Sequence, residues 1–98
     1  MRNAETTAMN GPLHRLIGEK VVLDTGTPIV YIGTLVEMDD AVFVLDEADM
    51  HDCREGHANK EMYLAEAHTD GVPVNRRRVV VMRSAIISVS RVADIVTG

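Results

Sequence analysis

The fold is decided by the stretch IVYIGTLVEMDDAVFVL at residues 29–45. Its first half is rich in β-branched residues, which favour strands, and its end, 41–45, is almost wholly apolar, as is typical of a buried strand. The polar residues 37–40 between the two halves predict a turn. Gly33 stands inside the first strand and predicts a sharp bend, the device by which a small barrel curls its sheet.

Strands are also predicted before and after this stretch. Residues 21–23 precede it and lead into the turn-rich segment 24–28. Residues 79–82 and 86–89 follow it as two short strands joined by 83–85. The residues before 79 continue the first of these strands as a long hairpin arm. Together, the segments predict a mainly all-β fold, a strongly bent, five-stranded antiparallel barrel.

A short N-terminal helix is expected to precede the strands. Asn10 or Gly11 can cap it, and Pro12 suits its first turn. Gly18 suits its end. Residues 1–10 are polar and small and are expected to form a disordered arm. The apolar residues at helical spacing share one face and allow one or two turns, which need packing to be stable; they are Leu13, Leu16 and Ile17.

Residues 49–75 are polar and long for a loop in a compact domain. They predict an insert between the third and fourth strands. Within it, residues 60–67 suit a helix by propensity and a strand by position, and we favour a strand because the Thr-Asp-Gly at 69–71 signals a hairpin. Residues 50–59 show no apolar periodicity, and we expect them to be exposed and dispensable for the fold.

The length of 98 residues corresponds to one small domain. We expect this domain to span residues 11–92 and to be followed by a tail at 93–98. A domain of this size is marginally stable alone. The single cysteine, Cys53, excludes an internal disulfide and favours a reducing, cytoplasmic compartment. Oligomerisation is therefore the expected route to stability.

The composition excludes several function classes. The formal net charge of −5 argues against coating nucleic acid through bulk electrostatics, although it leaves room for a local basic site. Two tyrosines and one phenylalanine, without tryptophan, cannot form a stacking surface of several aromatic rings. The sequence contains no run of about 18 apolar residues and no signal peptide, so no membrane partner is expected.

Polar side chains crowd the insert. Such residues can bind a transition metal, but no tight ligand spacing supports that, so we expect no metal and no cofactor. Cys53 near histidines is a weak nucleophile signal, and without an identifiable pocket or oxyanion element we expect no catalytic residues and no enzyme. The residues concerned are His51, Asp52, Cys53, His57, Glu61, His68 and Asp70.

Two further features have alternative interpretations. The basic run at 76–78 is either a phosphate-contacting edge or the solvated face of a strand. Three apolar residues stand on strand faces opposite the main core, and they either lie under the helix or the insert or form a slightly apolar exterior. These three residues are Val22, Val30 and Ile32.

Several motifs resemble those of the Sm/LSm family. Residues 33–39 (GTLVEMD) are similar to the glycine, leucine and aspartate pattern of its second strand and turn. Residues 13–23 look like its N-terminal helix and first strand, and residues 80–84 (VVMRS) resemble its second motif. The match covers roughly residues 12–48 and 77–90. The resemblance is to a divergent bacterial or phage-type member with an insert between the third and fourth strands.

The resemblance implies a binding site. In the family, bases of single-stranded RNA sit around a pore, each held by an asparagine, a stacking side chain and an arginine. Here Arg83 corresponds to the arginine, and Asp39 to the aspartate that braces the turn. Val42 or Phe43 takes the place of the asparagine, and Ser84 that of a glycine. The expected RNA-binding residues are therefore Asp39, Phe43, Arg83 and Ser84.

The resemblance also implies partners. The last two strands of the family pair with neighbouring copies, which predicts a homo-oligomeric ring of the RNA chaperone or scaffold type. The alternative is a non-catalytic homo-oligomeric scaffold whose insert recognises another protein. Asp40 or Ala41 stands at the stacking position and cannot stack, so we expect weak RNA binding without a uridine preference. Arg83 either lines the pore or pairs with Asp39 as a turn arginine.

Overall fold

The computed structural model describes residues 11–55 and 59–97, so the expected disordered arm at 1–10 lies outside them. Within the described residues, five strands form one antiparallel sheet, which confirms the mainly β fold. The strands are β1 (Lys20–Asp24), β2 (Ile29–Met38), β3 (Val42–Asp52), β4 (Arg76–Met82) and β5 (Ser88–Arg91). Their order in the sheet is β4-β3-β2-β1-β5.

The first four strands form a meander, and β5 joins the sheet beside β1. β2 pairs with β1 and β3, and β3 pairs with β4. β5 returns to pair with β1, from Ser88 opposite Asp24 to Arg91 opposite Val21. β4 and β5 are therefore the two edges of the sheet, and each offers a row of backbone donors and acceptors to a further strand.

β2 pairs irregularly at Gly33. Its pairing with β3 changes register between Ile32 and Thr34, which marks a β-bulge. A Cβ atom on Gly33 would lie 2.9 Å from the Cβ of Ala48 and 3.1 Å from the carbonyl oxygen of Asp46. Because β3 lies so close to this position, a glycine is required there, and the irregular pairing agrees with the local distortion that this glycine predicts.

The N-terminal helix is shorter than predicted, and that prediction is corrected. The chain makes one 3-10 turn, His14–Leu16, and Ile17 is already extended. Gly18 follows with a φ of 93°, a backbone conformation that ends the turn. So few residues form too few hydrogen bonds to offset the unfavourable nucleation of an α-helix. Leu13 and Leu16 nevertheless pack on the core of the sheet.

An α-helix, α1 (Lys60–Asp70), stands between β3 and β4 in place of the predicted strand. Asn59 caps it, because its side-chain oxygen accepts a hydrogen bond of 2.8 Å from the backbone N–H of Met62. Gly71, with a φ of 91°, ends it, and its N–H donates to the carbonyl of Ala67 over 3.1 Å. The predicted hairpin signal is therefore the end of a helix.

Two apolar clusters lie on the two faces of the sheet, since alternate residues of β1 belong to different clusters. The larger cluster is the interior of the bent sheet and contains Val21, Leu23, Leu35, Phe43, Leu45, Ala48 and Val81. α1 covers the smaller cluster, so the interpretation of three strand residues as lying under the insert is confirmed. This cluster contains Val22, Val30, Ile32, Tyr63, Ala67 and Val92.

β3 continues further than predicted. Its last residues, 49–52, fall in the predicted insert, and Met50 pairs with Tyr31 of β2. The Asn75 side chain accepts a hydrogen bond of 3.0 Å from the Met50 N–H and donates one of 3.1 Å to the Met50 carbonyl. These contacts tie the insert to the sheet at both ends. The expectation that residues 50–59 are exposed is therefore wrong for residues 50–52, which are half-buried in β3, whereas their being dispensable for the fold stays a prediction.

Candidate nucleic-acid interface at the Asp39 turn

The turn between β2 and β3 is built around Asp39. One carboxylate oxygen, Oδ1, accepts hydrogen bonds from the backbone N–H groups of Ala41 at 2.7 Å and Val42 at 2.9 Å. The N–H of Asp39 donates to the carbonyl of Val42 over 3.1 Å. The two N–H donors, helped by the nearby charge of Arg83, hold the pKa of Asp39 below its ordinary value. Asp39 therefore braces the turn, as the resemblance implies.

Arg83 lies against this turn. It follows β4 directly and begins the 3-10 turn Arg83–Ala85. Its backbone N–H donates to the carbonyl of Ala41 over 2.9 Å, and its Nη1 donates to the carbonyl of Asp39 over 2.6 Å. Arg83 thus contacts the backbone of the Asp39 turn. This side-chain contact uses one of the five N–H donors of a guanidinium. The interpretation of Arg83 as a turn arginine predicted a pair with the Asp39 carboxylate instead.

Phe43 lies with its ring against the guanidinium of Arg83. Its ring is 2% exposed and belongs to the interior cluster, and the guanidinium carbon of Arg83 lies 5.2 Å from the ring centroid. This distance is within the range of a cation–π interaction. A buried phenyl ring offers no hydrogen-bonding group to a base. The sequence resemblance implies that Phe43 or Val42 takes the place of an asparagine, and neither side chain can read a base edge.

A shallow cleft opens beside Arg83 and has a volume of about 250 Å³. Leu13, Ile86 and Val89 contribute apolar walls, and Ser88 contributes a hydroxyl. Ser84 lies in the same 3-10 turn as Arg83 and is exposed. The structure therefore brings the predicted residues Asp39, Phe43, Arg83 and Ser84 to one end of the sheet. A guanidinium there can bind a phosphate or a carbonyl group of a ligand.

The basic run at 76–78 does not join this turn. It begins β4, whereas Arg83 follows the end of the same strand. Arg78 pairs across the strands with Asp46, with Nε 2.6 Å from Oδ1 and Nη2 3.0 Å from Oδ2. The hydrogen bonds from Arg78 lower the pKa of Asp46. For Arg78, the structure agrees with the interpretation of the basic run as the charged, solvated face of a strand.

Several of the polar residues that were candidates for metal ligands or a nucleophile lie at or just after the end of β3. In the ranges 11–55 and 59–97, no three His, Cys, Asp or Glu side chains are grouped so that they could hold a metal ion; His57 lies outside these ranges. Burial raises the pKa of the Cys53 thiol, which disfavours the nucleophilic thiolate. Hydrogen bonds from Arg54 lower the pKa of Asp52 to about 2.

Two residues that the sequence did not single out, Asp49 and Tyr63, anchor α1 to the sheet. Asp49 is 3% exposed, and the Tyr63 hydroxyl donates a hydrogen bond to its Oδ2. Burial, together with this carboxylate, raises the pKa of Tyr63. The available signal was an aromatic residue in an otherwise polar insert, which predicts an apolar anchor.

Across the described part of the chain, no helix is long and apolar enough to span a membrane.

The comparisons with known proteins agree with this architecture. The fold matches a solved structure of the Sm protein from Pyrococcus abyssii in complex with a uridine heptamer. The two proteins are 19% identical, the match covers 84% of this chain and 99% of the other, and the TM-score is 0.56. No protein-family model and no curated protein matches the sequence. The strand order and this structural match show that the chain has the Sm-like fold.

Proposed function

We propose that this protein forms a homo-oligomeric ring that binds single-stranded RNA at its pore through Arg83. The observation that carries the proposal is the position of Arg83, which its contacts with Asp39 and Phe43 fix at the turn between β2 and β3. A fixed guanidinium binds phosphate or base edges with little loss of side-chain freedom. The structural neighbour from Pyrococcus abyssii, solved with a uridine heptamer, supports the same ligand class.

The ring part of the proposal rests on the two edges of the sheet. β4 and β5 each have a free edge, and antiparallel pairing of one with the other in a neighbouring copy would satisfy both. Large apolar side chains are exposed along or beside these edges, and pairing would bury them. They are Val80 at 53% exposure, Met82 at 59% and Ile87 at 71%.

The expected RNA binding is weak and does not prefer uridine. Phe43 carries no amide that could read a base edge, and the short side chains of Asp40 and Ala41 provide no stacking surface. Arg83, repeated once per copy around the pore, supplies several weak contacts that add through multivalency. Binding of this kind falls with added salt because counterions are released from the phosphates. In this proposal the protein is cytoplasmic, uses no cofactor and is not an enzyme.

The test is a fluorescence anisotropy titration of labelled oligo-U, oligo-A and a mixed strand at two salt concentrations. We expect similar affinities for the three strands, weaker binding at the higher salt concentration, and a loss of roughly tenfold or more in Arg83→Ala. Arg54→Ala is the control, because it also removes one arginine charge per chain but follows the other end of β3; Arg54 is exposed, whereas Arg83 is half-buried. Equal binding by Arg83→Ala and the wild-type protein contradicts the proposal, as does tight and uridine-selective binding.

A protein-interaction scaffold is the second candidate function. The observation that favours it is Phe43, since a buried ring occupies the position that would hold a base-reading asparagine. α1 adds a folded surface to the compact sheet, and such a surface can recognise another protein. Failure of all three oligonucleotides to bind, with the ring intact, would leave this function as the better account.

A further inference from the structure

A second cleft lies between α1 and the end of β3, remote from Arg83. Its volume is about 440 Å³, and it opens to solvent. His51 stands near the carboxyl end of β3, whereas the Asp39 turn precedes the beginning of that strand. The cleft is therefore separate from the candidate RNA site. Its lining includes His51, Tyr63, Glu66, Asp70, Val72 and Pro73.

The charge in this cleft is negative. Glu66 and Asp70 are four residues apart on α1, so their like charges lie on the same face one turn apart. Within the described residues, neither carboxylate takes part in an ion pair, and neither lysine nor arginine lines the cleft. The carboxyl end of α1, at Asp70, adds the partial negative charge of the helix dipole. A cation bound here would relieve this repulsion.

A stacked ring pair forms one wall. The rings of His51 and Tyr63 are parallel within 3°, with centroids 4.0 Å apart. Tyr63 is 5% exposed and is fixed through its hydroxyl to Asp49, whereas His51 is half-buried, so the His51 ring is the more accessible member of the pair. A planar guanidinium can stack on such a face, whereas the compact ammonium of lysine gains less there.

Another part of the cleft wall is held in place by hydrogen bonds to the sheet. Val72 and Pro73 belong to the segment between α1 and β4. Asn75 ends this segment and makes two side-chain hydrogen bonds to the backbone of Met50, at 3.0 and 3.1 Å. Its own N–H donates to the carbonyl of Ala48 over 2.9 Å. Preorganised walls reduce the entropy lost when a ligand binds.

We propose that this cleft is a docking site for an arginine side chain presented by a partner protein. The carboxylates of Glu66 and Asp70 would bind the guanidinium, the His51–Tyr63 pair would stack on it, and Val72 and Pro73 would contact its alkyl stem. The same carboxylates would repel the phosphates of RNA. This inference rests on the scaffold function proposed above and does not depend on RNA binding by Arg83.

The test is an NMR titration of the isotope-labelled full chain with the peptide Gly-Gly-Arg-Gly-Gly, its lysine counterpart and free arginine. We expect the amide signals of Tyr63, Ala67 and Val72 to shift with the arginine peptide, and to shift several-fold less at equal concentration with the lysine peptide. Free arginine should bind more weakly than the peptide if a protein segment is the ligand. Equal binding of free arginine and the peptide would overturn the assignment to a partner protein.

Variants then distinguish this site from the rest of the molecule. Glu66→Gln combined with Asp70→Asn should weaken peptide binding by roughly tenfold. Glu61→Gln is the matched control, since Glu61 belongs to the first turn of the same helix and is not part of the cleft lining. Arg83→Ala should bind the peptide as the wild-type protein does, which separates failure of RNA binding from failure here. Absence of shifts in the wild-type protein, unchanged binding in the double variant, or displacement of the peptide by RNA would overturn the inference.

Discussion

Phe43 and Arg83 form the residue pair on which the proposed RNA site depends. The Phe43 ring fills the interior of the sheet, and the guanidinium of Arg83 lies over its face. Apolar packing and a cation–π contact hold this pair, and the phenyl ring has no amide that could read a base edge. The RNA proposal therefore keeps a positioned cation and specifies weak, unselective binding.

Gly33 gives the sharpest prediction at the residue scale. The change Gly33→Ala should lower the free energy of unfolding by about 1–3 kcal/mol, because its Cβ would lie 2.9 Å from the Cβ of Ala48. Urea unfolding measures this effect. Gly33→Ala combined with Ala48→Gly should recover only part of the loss, since the carbonyl of Asp46 would still lie 3.1 Å from the new Cβ. A single variant as stable as the wild-type protein would contradict the close crossing of β2 and β3.

At the scale of elements, the strands could be predicted from the sequence and the helix could not. β-branched runs bounded by turn residues are local signals, and they placed the beginning of β2 correctly and that of β3 within one residue. Residues 60–67 favour both helix and strand on local grounds. Packing of Tyr63 and Ala67 over the sheet, with the Asn59 cap, decides for the helix. Such tertiary contacts override weak propensities.

The candidate site could also be predicted only in part from the sequence. The resemblance identified Asp39 and Arg83, and the structure brings them into contact. That Arg83 donates to a backbone carbonyl could not be predicted, because sequence spacing does not fix the geometry of a contact between distant residues. The acidic cleft was missed for a related reason. Glu66 and Asp70 lie close together, one turn apart, because they are on a helix, whereas the sequence predicts a strand at 60–67 followed by a hairpin turn at 69–71.

The docking of α1 depends on Tyr63. The change Tyr63→Phe removes the hydroxyl that donates to the buried carboxylate of Asp49, and a buried group left without that donor should destabilise the fold by about 1–3 kcal/mol. Chemical denaturation measures the loss. If the hydroxyl acts through Asp49, Tyr63→Phe should lose much less stability in an Asp49→Ala background, which has no side-chain acceptor. Additive losses in the double variant would show that the two side chains act independently.

At the scale of the whole molecule, several carboxylates make the stability of the fold depend on pH in the same direction. Hydrogen bonds from neighbouring donors lower the pKa values of Asp39, Asp46, Asp52 and Asp94. A pKa lower in the folded than in the unfolded state means that the ionised form stabilises the fold. This stability is present above the ordinary value of 3.8 and, for Asp52, is lost as the pH falls towards about 2.

The midpoint of urea unfolding should therefore stay nearly constant from about pH 7 to 5 and fall steeply below about pH 4. Asp52→Asn, which removes the most strongly shifted of these groups, should unfold at lower urea concentration at neutral pH and show a shallower fall in acid. A midpoint that is unchanged or rises between about pH 4 and 2 would contradict the assignment of these ion pairs and hydrogen bonds.

The Sm-like fold leaves β4 and β5 as free edges, and the proposed function needs those edges to close into a ring so that Arg83 is repeated around a pore. Native mass spectrometry, with and without a short single-stranded RNA, tests both requirements in one experiment. The account predicts one assembly whose mass is a whole multiple of 10.8 kDa, and an added peak for that assembly with RNA bound. A species of 10.8 kDa alone, unchanged by RNA, would contradict it.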